Sequence, residues 1–254
     1  MSNPILDVKG LCKTYIINEY SNNVLQNIDF SLQQGEFVSV MGPSGSGKST
    51  LLYTISGMDN LTAGTVLFDN EDISKLNKKK MSDIRLKKMG FVFQQMYMLK
   101  KLSIMDNILL PGFQANLKSK DEVIADAEKL MKNLGIMDIA DHEITEVSGG
   151  QLQRACICRA LINNPKLIFA DEPTGSLNSK ASKEVMDELN NANKNGTSIL
   201  MVTHSEKVAA VSERIIYLVD GIIKGELKLG KATDSQELIL RERKIKNWLD
   251  EMGW

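Results

Sequence analysis

The chain has little of what marks several large protein classes. It contains three cysteines, two histidines and 6% aromatic residues in 254 residues, which is too few cysteines for a disulfide-stapled scaffold. Lysine plus arginine (31) and aspartate plus glutamate (32) nearly cancel, so the formal net charge of −1 argues against a dedicated nucleic-acid binder. No apolar run approaches the length of about 18 residues that a membrane-spanning helix needs. We therefore expect no nucleic-acid partner and no membrane span.

What the chain does contain is typical of a soluble globular protein. Hydrophobic residues make up 43% of the chain and there are 18 glycines, a composition that excludes intrinsic disorder and fibrous repeats. The start, Met1 to Pro4, lacks the pattern of a signal peptide, and free cysteines at Cys156 and Cys158 suit a reducing cytosol. Because residues two apart on a helix point to different sides, these two cysteines form a poor metal clamp. We interpret them as small, partly buried residues.

Short apolar runs alternate with helical patterns along much of the chain. The segments 37–41, 167–170 and 198–202 are typical of buried parallel strands, and 179–193 has helical spacing, so an α/β fold with right-handed crossovers is predicted. Between about residues 94 and 161 the strand-like runs disappear, which predicts an inserted helical subdomain. We therefore divide the chain into an α/β core (1–93 and 162–230), a helical subdomain (94–161) and a C-terminal amphipathic helix (231–254).

The two ends of the chain have patterns of their own. Alternating apolar residues from Ile5 predict an edge strand that enters a turn at Lys9-Gly10. In the C-terminal segment, Leu238, Ile245 and Leu249 keep one face apolar, while Arg241 is expected on the polar side. We expect this helix to pack on its own domain; contact with a second copy or a partner is the less favoured alternative.

A glycine-rich loop follows the strand at 37–41 and opens a helix. It matches the phosphate-loop pattern G-x-x-x-x-G-K-[ST] in full, and Thr50 completes the predicted ATP-binding segment. The eight residues are Gly42, Pro43, Ser44, Gly45, Ser46, Gly47, Lys48 and Ser49. Glycines let backbone N–H groups close around phosphate oxygens at a helix N-terminus. Lys48 is expected to reach the β- and γ-phosphates, and the Ser49 hydroxyl to ligate Mg²⁺.

Two acids end the apolar strand at 167–170. Strands of such a sheet present their carboxyl ends to the ligand, so Asp171 and Glu172 are expected beside the phosphates. Asp171 suits the Mg²⁺ shell, and Glu172 suits a catalytic base that orients water. A helix cap is the alternative for two such acids, but the phosphate loop favours the functional interpretation.

A second glycine-containing element identifies the family. Val147 is followed by Ser148, Gly149, Gly150 and Gln151 at the start of a predicted helix, with Ser148 as the expected N-cap. One phosphate site does not need a second anion-binding element. The chain here resembles the ATP-binding cassette (ABC) ATPases, whose signature LSGGQ occurs with valine in place of leucine. The resemblance implies a head-to-tail homodimer in which the signature of one subunit binds the ATP held by the other.

The resemblance, which covers about residues 5 to 230, assigns roles to further positions. Tyr15 corresponds to the aromatic residue that stacks on adenine, Gln94 to the glutamine that senses Mg²⁺ and the attacking water, and His204 to the switch histidine at the γ-phosphate. The dimer-contact loop Ser176-Leu177-Asn178 departs from the family pattern, which usually ends in aspartate. Loss of that charge could alter communication between the two ATP sites.

Several stretches point to a subgroup. Residues 90–94, 169–175 and 201–204 resemble the ATPases of MacB-, LolD- and FtsE-like systems, and 177–180 with 248–254 resemble bacitracin and lantibiotic resistance ATPases of Firmicutes. The resemblance implies an ATPase at the cytoplasmic face of the cell membrane that drives an FtsX/MacB-like permease for antimicrobial peptide resistance. A sensor kinase reached through the permease is a further partner that it allows. Lipoprotein release and cell division are the alternative systems.

Two other functions and two short segments have alternative interpretations. A soluble ABC ATPase acting on DNA or ribosomes predicts a long coiled-coil insertion or two cassettes in one chain, neither of which 254 residues hold. A regulatory module without catalysis predicts the loss of Glu172 or His204, and both are present. The segment 96–99 fits ordinary core and a groove for a permease helix equally well, and the basic stretch 75–88 favours a solvated helix face.

Overall fold

The computed structural model describes residues 3–175, 177–232 and 234–254. The chain divides into two compact units. The first unit consists of Met1–Met81 and Ser198–Trp254, and the second of Ser82–Thr197. The first unit therefore combines both ends of the chain, and the second is one continuous internal stretch.

Two sheets build the first unit. One is antiparallel, with strand order β2-β1-β4-β5; its strands are β1 (Leu6–Ile17), β2 (Tyr20–Leu32), β4 (Ala63–Phe68) and β5 (Glu71–Asp72). In the other, β3 (Phe37–Met41) pairs in parallel with both β8 (Ser198–Val202) and β9 (Arg214–Val219), and β10 (Ile222–Lys228) runs antiparallel to β9. Every residue of β3 and β8 is buried, as their largely apolar sequences predict.

The remaining elements are mostly helices. The first unit holds α1 (Lys48–Ile55), α7 (Glu206–Ala209) and α8 (Ser235–Glu251). Helix α2 (Lys78–Lys88) begins in the first unit and ends in the second. The second unit holds the parallel strands β6 (Met89–Phe93) and β7 (Leu167–Asp171) and the helices α3 (Ile104–Ala115), α4 (Lys120–Asn133), α5 (Gly149–Leu161) and α6 (Ser179–Lys194). Short 3₁₀ helices cover Ile73–Lys75 and Met137–Ile139. The mixed α/β class, with an antiparallel sheet and helices between β6 and β7, is confirmed.

The prediction for the first strand was wrong in two respects. β1 does not end at Lys9-Gly10 but continues to Ile17, and it lies between β2 and β4 rather than at an edge. Gly10 has a φ of +57° and donates its backbone N–H to Asp29 at 2.7 Å, and the register with β2 shifts at this point. The glycine therefore marks a β-bulge inside a long strand, which has the same local sequence signal as a turn.

The C-terminal helix packs on its own unit, as expected. Ile245 and Leu249 of α8 belong to a buried cluster with Tyr217 of β9. Arg241 was expected on the polar face, but it is only 4% exposed. Its guanidinium donates to the carbonyl oxygens of Ser212, Leu229 and Gly230 and to Glu237 on its own helix. A buried arginine is tolerated here because these acceptors satisfy its donors.

Candidate functional site

The glycine-rich loop leaves β3 and turns directly into α1. A Cβ atom on Gly42 would lie 2.0 Å from the carbonyl oxygen of Leu218, so no other residue fits at that position. Gly45 and Gly47 have φ values of +81° and +98°, the left-handed region that glycine adopts without strain. The loop can therefore fold tightly over the end of β3 and aim its backbone N–H groups inwards.

Two polar side chains are buried in this loop. Lys48 is 8% exposed, and its ammonium donates to the carbonyl oxygens of Gly42 and Pro43, both at 2.8 Å. The Ser46 hydroxyl is buried and has no hydrogen-bond partner among the described residues. Gly47 caps α1 without a side-chain bond to its first turn. A buried hydroxyl, a lysine and the N-terminal end of a helix are the groups that a phosphate chain satisfies.

Tyr15 lies next to the same helix and is held by its hydroxyl. The hydroxyl donates to Asp59 at 2.6 Å and interacts with the side chain of Thr50, the last residue of the predicted ATP-binding segment. Lys13 donates to Asp59 at 2.8 Å and lies 4.5 Å from the centroid of the Tyr15 ring. Burial and the hydrogen bond to Asp59 raise the pKa of Tyr15. The Tyr15 hydroxyl therefore stays protonated at neutral pH, and these contacts hold its ring in place.

Burial acts to raise the pKa of Asp59, but its hydrogen bonds with Lys13 and Tyr15 outweigh burial, so the pKa of Asp59 is lowered. This carboxylate stays ionised at neutral pH and orients both neighbours. Sequence analysis missed Lys13 and Asp59. The aspartate lies 44 positions after the tyrosine, and a single sequence gives no signal that pairs them.

His204 is placed at the end of the parallel sheet. It follows β8, is exposed, and sits between Thr203 and Ser205. The Thr203 backbone N–H donates to Val40 of β3, and Ser205 caps α7. Because β3 and β8 are parallel and pair Val40 with Val202, the glycine-rich loop and His204 leave the same edge of the sheet. The first unit thus contains Tyr15, the loop and His204.

The two predicted acids lie in the second unit. β7 is fully buried and ends at Asp171, which is 7% exposed and pairs with Phe93 at the end of β6. Glu172 has a φ of +46°, a left-handed conformation that is uncommon outside glycine. The Gly175 backbone N–H closes the turn by donating to the Glu172 carbonyl oxygen at 3.1 Å.

Gln94 joins Glu172 at this turn. It directly follows β6, the parallel neighbour of β7, and both side chains approach Gly175. A Cβ atom on Gly175 would lie 3.1 Å from Nε2 of Gln94 and 3.3 Å from Oε2 of Glu172. Gly175 therefore leaves the space in which the amide and the carboxylate meet. An amide and a carboxylate side by side can orient a water molecule and accept its proton.

The signature segment begins α5 with a complete capping box. The Ser148 hydroxyl accepts from the Gln151 backbone N–H, and the Gln151 side chain accepts from Ser148. This confirms Ser148 as N-cap. Ser148 and Gly149 are exposed and line a cavity of about 360 Å³. The cavity is also lined by Gly150, Arg154, Leu177, Asn178, Lys180, Ala181 and Glu184.

Asn178 has a structural role that an aspartate at this position would fill equally well. It caps α6, and its Oδ1 accepts from the Ala181 backbone N–H at 2.9 Å. Asparagine and aspartate are about equally good N-caps, so the replacement keeps the cap and removes one negative charge from the cavity wall. Ser176 of the same predicted loop lies outside the described residues.

Two further predictions can be compared with the structure. Met98 is buried, whereas Tyr97 and Leu99 are 59% and 51% exposed, so the segment 96–99 is part core and part surface. Cys156 and Cys158 are buried completely, not partly. Burial raises the pKa of Cys156 to about 11 and that of Cys158 further, so both thiols are protonated at neutral pH.

Neither a metal cluster nor a membrane helix occurs in the part of the chain that the structure describes. No group of three or more His, Cys, Asp or Glu side chains there could hold a metal ion. Among the helices within the same ranges, none has the length and apolar character that crossing a bilayer requires.

Comparisons with known proteins agree with this geometry. The ABC transporter family model matches residues 25–175. The chain is 42% identical over 219 residues to an uncharacterized ABC transporter ATP-binding protein, YknY, of Bacillus subtilis, covering 86% of this chain and 95% of that protein. It is 42% identical over 204 residues to the lipoprotein-releasing system ATP-binding protein LolD of Aquifex aeolicus, covering 80% and 91%.

The chain is also similar to a longer protein and to a solved structure of ATP-binding proteins. The macrolide export ATP-binding/permease protein MacB of Campylobacter jejuni is 41% identical over 234 residues, which is 92% of this chain but only 35% of that protein. A structure of the ATP-binding cassette MJ0796 in a dimeric post-hydrolysis state with ADP and Pi superimposes with a TM-score of 0.84 at 39% identity, covering 89% of this chain and all of that one.

The fold and the two glycine-rich elements define a P-loop ATPase domain. The chain belongs to the ABC transporter family of ATP-binding, ATP-hydrolysing proteins, and it fits the group that contains MacB, LolD and YknY.

Proposed function

We propose that two copies of the chain close head to tail around two ATP molecules and drive a membrane permease. The observation that carries this proposal is the exposed signature segment, whose serine and first glycine line an open cavity instead of a buried one. An anion-binding helix start that faces outwards suits a ligand brought by another molecule. The dimeric structure of MJ0796, at 40% identity, supports the same arrangement.

ATP is bound by both glycine-rich elements in this proposal. Tyr15 stacks on the adenine, and the loop from Gly42 to Thr50 surrounds the phosphates with backbone N–H groups. The buried Ser46 hydroxyl and the Lys48 ammonium are the polar groups that the phosphates satisfy. The signature residues Ser148, Gly149, Gly150 and Gln151 of the partner subunit complete each site from the opposite side.

Hydrolysis then depends on groups from several elements. Glu172 accepts a proton from the water that attacks the γ-phosphorus, and Gln94, which meets it at Gly175, orients that water. As the new P–O bond forms, the bond between the γ-phosphorus and the β,γ-bridging oxygen breaks, and ADP leaves with that oxygen. Lys48, His204 and the loop N–H groups stabilise the negative charge on the transferring phosphoryl group. Because these groups are already in place, they need little rearrangement during the reaction, and this lowers the barrier.

The donor set also fits Mg²⁺. Ser49 offers a hydroxyl, Asp171 a carboxylate and Gln94 an amide oxygen, and all three are the oxygen ligands that Mg²⁺ prefers beside substrate phosphates. Held by these residues, the ion would neutralise phosphate charge.

Replacement of Glu172 by glutamine tests the catalytic assignment. Glu172→Gln keeps the size and hydrogen bonding of the side chain but removes the base. We expect turnover to fall about 10³-fold while ATP binding remains, so that the dimer accumulates with ATP. Steady-state hydrolysis and size-exclusion chromatography with ATP measure both. Brisk turnover of this variant would overturn the role of Glu172.

The proposed permease contact lies at the segment after Gln94. Tyr97 and Leu99 expose apolar surface next to a catalytic loop, and Met96 adds an adaptable side chain. A permease helix of the FtsX/MacB type seated there would report its state to Gln94. This partner would hold the subunit at the cytoplasmic face of the cell membrane.

Resistance to antimicrobial peptides is the proposed task of the transporter. Its support is the resemblance of 177–180 and 248–254 to bacitracin and lantibiotic resistance ATPases. A sensor kinase that acts through the permease belongs to the same proposal. Lipoprotein release is the second candidate, and the 42% identity to LolD of Aquifex aeolicus favours it.

A pull-down separates these candidates. Tagged Glu172→Gln protein with ATP and Mg²⁺ is incubated with detergent-solubilised native membranes, and bound proteins are identified by mass spectrometry. Recovery of a permease with a large extracytoplasmic domain supports the peptide-resistance proposal, and deletion of the gene should then lower the inhibitory concentration of bacitracin. Unchanged sensitivity with impaired lipoprotein release favours the second candidate, and recovery of only ribosomal proteins contradicts both.

A further inference from the structure

The helix that begins with the signature segment also contacts both catalytic loops of the second unit. Gln153 lies one turn into α5 and is 1% exposed, and its Nε2 donates to the Pro173 carbonyl oxygen at 2.8 Å. Further along the same helix, Arg159 donates to the carbonyl oxygens of Met96 and Tyr97 at 2.5 and 2.8 Å. Pro173 follows Glu172 and Met96 lies two residues after Gln94, so one rigid helix holds both loops.

The loop that carries Glu172 needs such support. A residue before proline is pushed towards extended backbone, but Glu172 precedes Pro173 and has a φ of +46°. A sparsely populated conformation of this kind persists only where surrounding contacts impose it. The turn bond from Gly175 to the Glu172 carbonyl is one such contact, and the Gln153 bond to the next carbonyl is another.

The hydrogen bond from Gln153 to Pro173 also has a cost in stability. Its Oε1 is buried without a hydrogen-bond partner among the described residues, so the side chain gives up one acceptor in order to make this bond. A buried, half-satisfied amide is worse for stability than an apolar side chain of the same size. The Pro173 contact explains why a glutamine nevertheless occupies this core position.

We propose that Gln153 is a positioning residue that fixes the position of Glu172 relative to α5, the helix that begins with the signature segment. When the partner's ATP engages the signature segment and α5 shifts, Gln153 carries that shift to the catalytic carboxylate of its own subunit. Each ATP site thereby senses occupancy of the other. The proposal rests on the proposed roles of Glu172 and of the signature segment.

Gln153→Met is the decisive variant because it keeps the volume and removes the donor. We expect kcat for ATP to fall about tenfold and KM to stay within twofold, since the loss of one buried hydrogen bond misplaces the base without touching the nucleotide. Cys158→Ala is the matched control: Cys158 is fully buried on the same helix, and its thiol lies in the field of Glu188 on α6. Its kcat should stay within twofold of the wild type.

A pH profile distinguishes positioning from packing. In Gln153→Glu a protonated carboxyl can donate to Pro173 and an ionised one cannot, and burial raises the pKa of such a carboxyl. Its kcat relative to wild type should therefore rise as pH falls from 8 to 6, while the ratio for Gln153→Met stays flat. Three outcomes would each overturn the proposal. The first is an unchanged kcat in Gln153→Met together with a lower melting temperature, and the second is an equal loss of kcat in Cys158→Ala. The third is that kcat of the two Gln153 variants depends on pH in the same way. Failure of the proposed function is separate, because it would appear as brisk turnover of Glu172→Gln.

Discussion

The two glycine-rich helix starts differ in what satisfies them. The loop at 42–49 leads into a helix whose glycine cap makes no side-chain bond, and it contains a buried hydroxyl without a partner. The signature at 148–151 has a complete capping box and faces an open cavity. The loop at 42–49 therefore has polar groups that a ligand bound within the same subunit would satisfy. The second is stable alone and presents its backbone outwards, which suits a ligand held by another subunit.

Loss of the loop lysine should have the largest effect. Lys48→Ala removes the charged donor that now bonds Gly42 and Pro43, and we expect ATP affinity to fall about 100-fold, the scale of a charge-assisted contact to phosphate. Isothermal titration calorimetry with ATP and Mg²⁺ measures this. Lys48→Arg is the control that keeps charge. Unchanged affinity in the alanine variant would remove the distinction between an internal and an external site.

The signature serine should affect turnover but not binding to the single chain. Ser148→Ala loses the N-cap of α5, which costs about 1 kcal/mol of unfolding free energy. We expect ATP affinity of the isolated subunit to stay within twofold and hydrolysis to fall about tenfold. Ser148→Thr keeps the hydroxyl and serves as the control. Weaker ATP binding by the monomer would contradict the outward-facing role.

Asn178 lines the cavity beside the signature segment, so its variants test the same comparison between the two helix starts. Asn178→Ala removes the cap of α6 and should lower the unfolding free energy by about 1 kcal/mol, measured by urea denaturation. Asn178→Asp keeps the cap and should change stability by less than about 0.5 kcal/mol. If the lost charge tunes communication between sites, the aspartate variant should change the Hill coefficient for ATP while leaving the melting temperature alone. Equal destabilisation by both variants would contradict the capping role.

The smallest expected effect concerns the support under Tyr15. The pKa of Asp59 is lowered in the folded chain, so its contribution to stability is present above the unfolded pKa of about 4 and is lost as pH falls below that value. We expect Asp59→Asn to lower the melting temperature slightly at pH 7, and we expect this difference to shrink as pH falls through the lowered pKa of the folded state. Thermal denaturation at pH 7 and at pH 3 tests this. A difference as large at pH 3 as at pH 7 would mean that packing, not charge, carries the contribution.

Local patterns were sufficient for much of the fold and for naming the candidate residues. The buried strands 37–41 and 198–202 and the Ser148 cap follow from runs and spacings of neighbouring residues, so they were predictable. Gly10 was misread because a bulge and a turn both use a glycine with positive φ. Arg241 was misread because its partners, the carbonyls near Ser212 and Gly230, are distant in sequence.

The sequence by itself determined the chemistry of the protein: a phosphate loop, two acids after a buried strand and a signature segment, in an order that specifies the family. Only the tertiary structure decided how these pieces are supported. The Asp59 contact to Tyr15, the meeting of Gln94 and Glu172 at Gly175 and the Gln153 bond to Pro173 join residues that lie 20 to 78 positions apart. Such contacts arise from side chains that meet only after strands and helices have packed, and no local pattern records them.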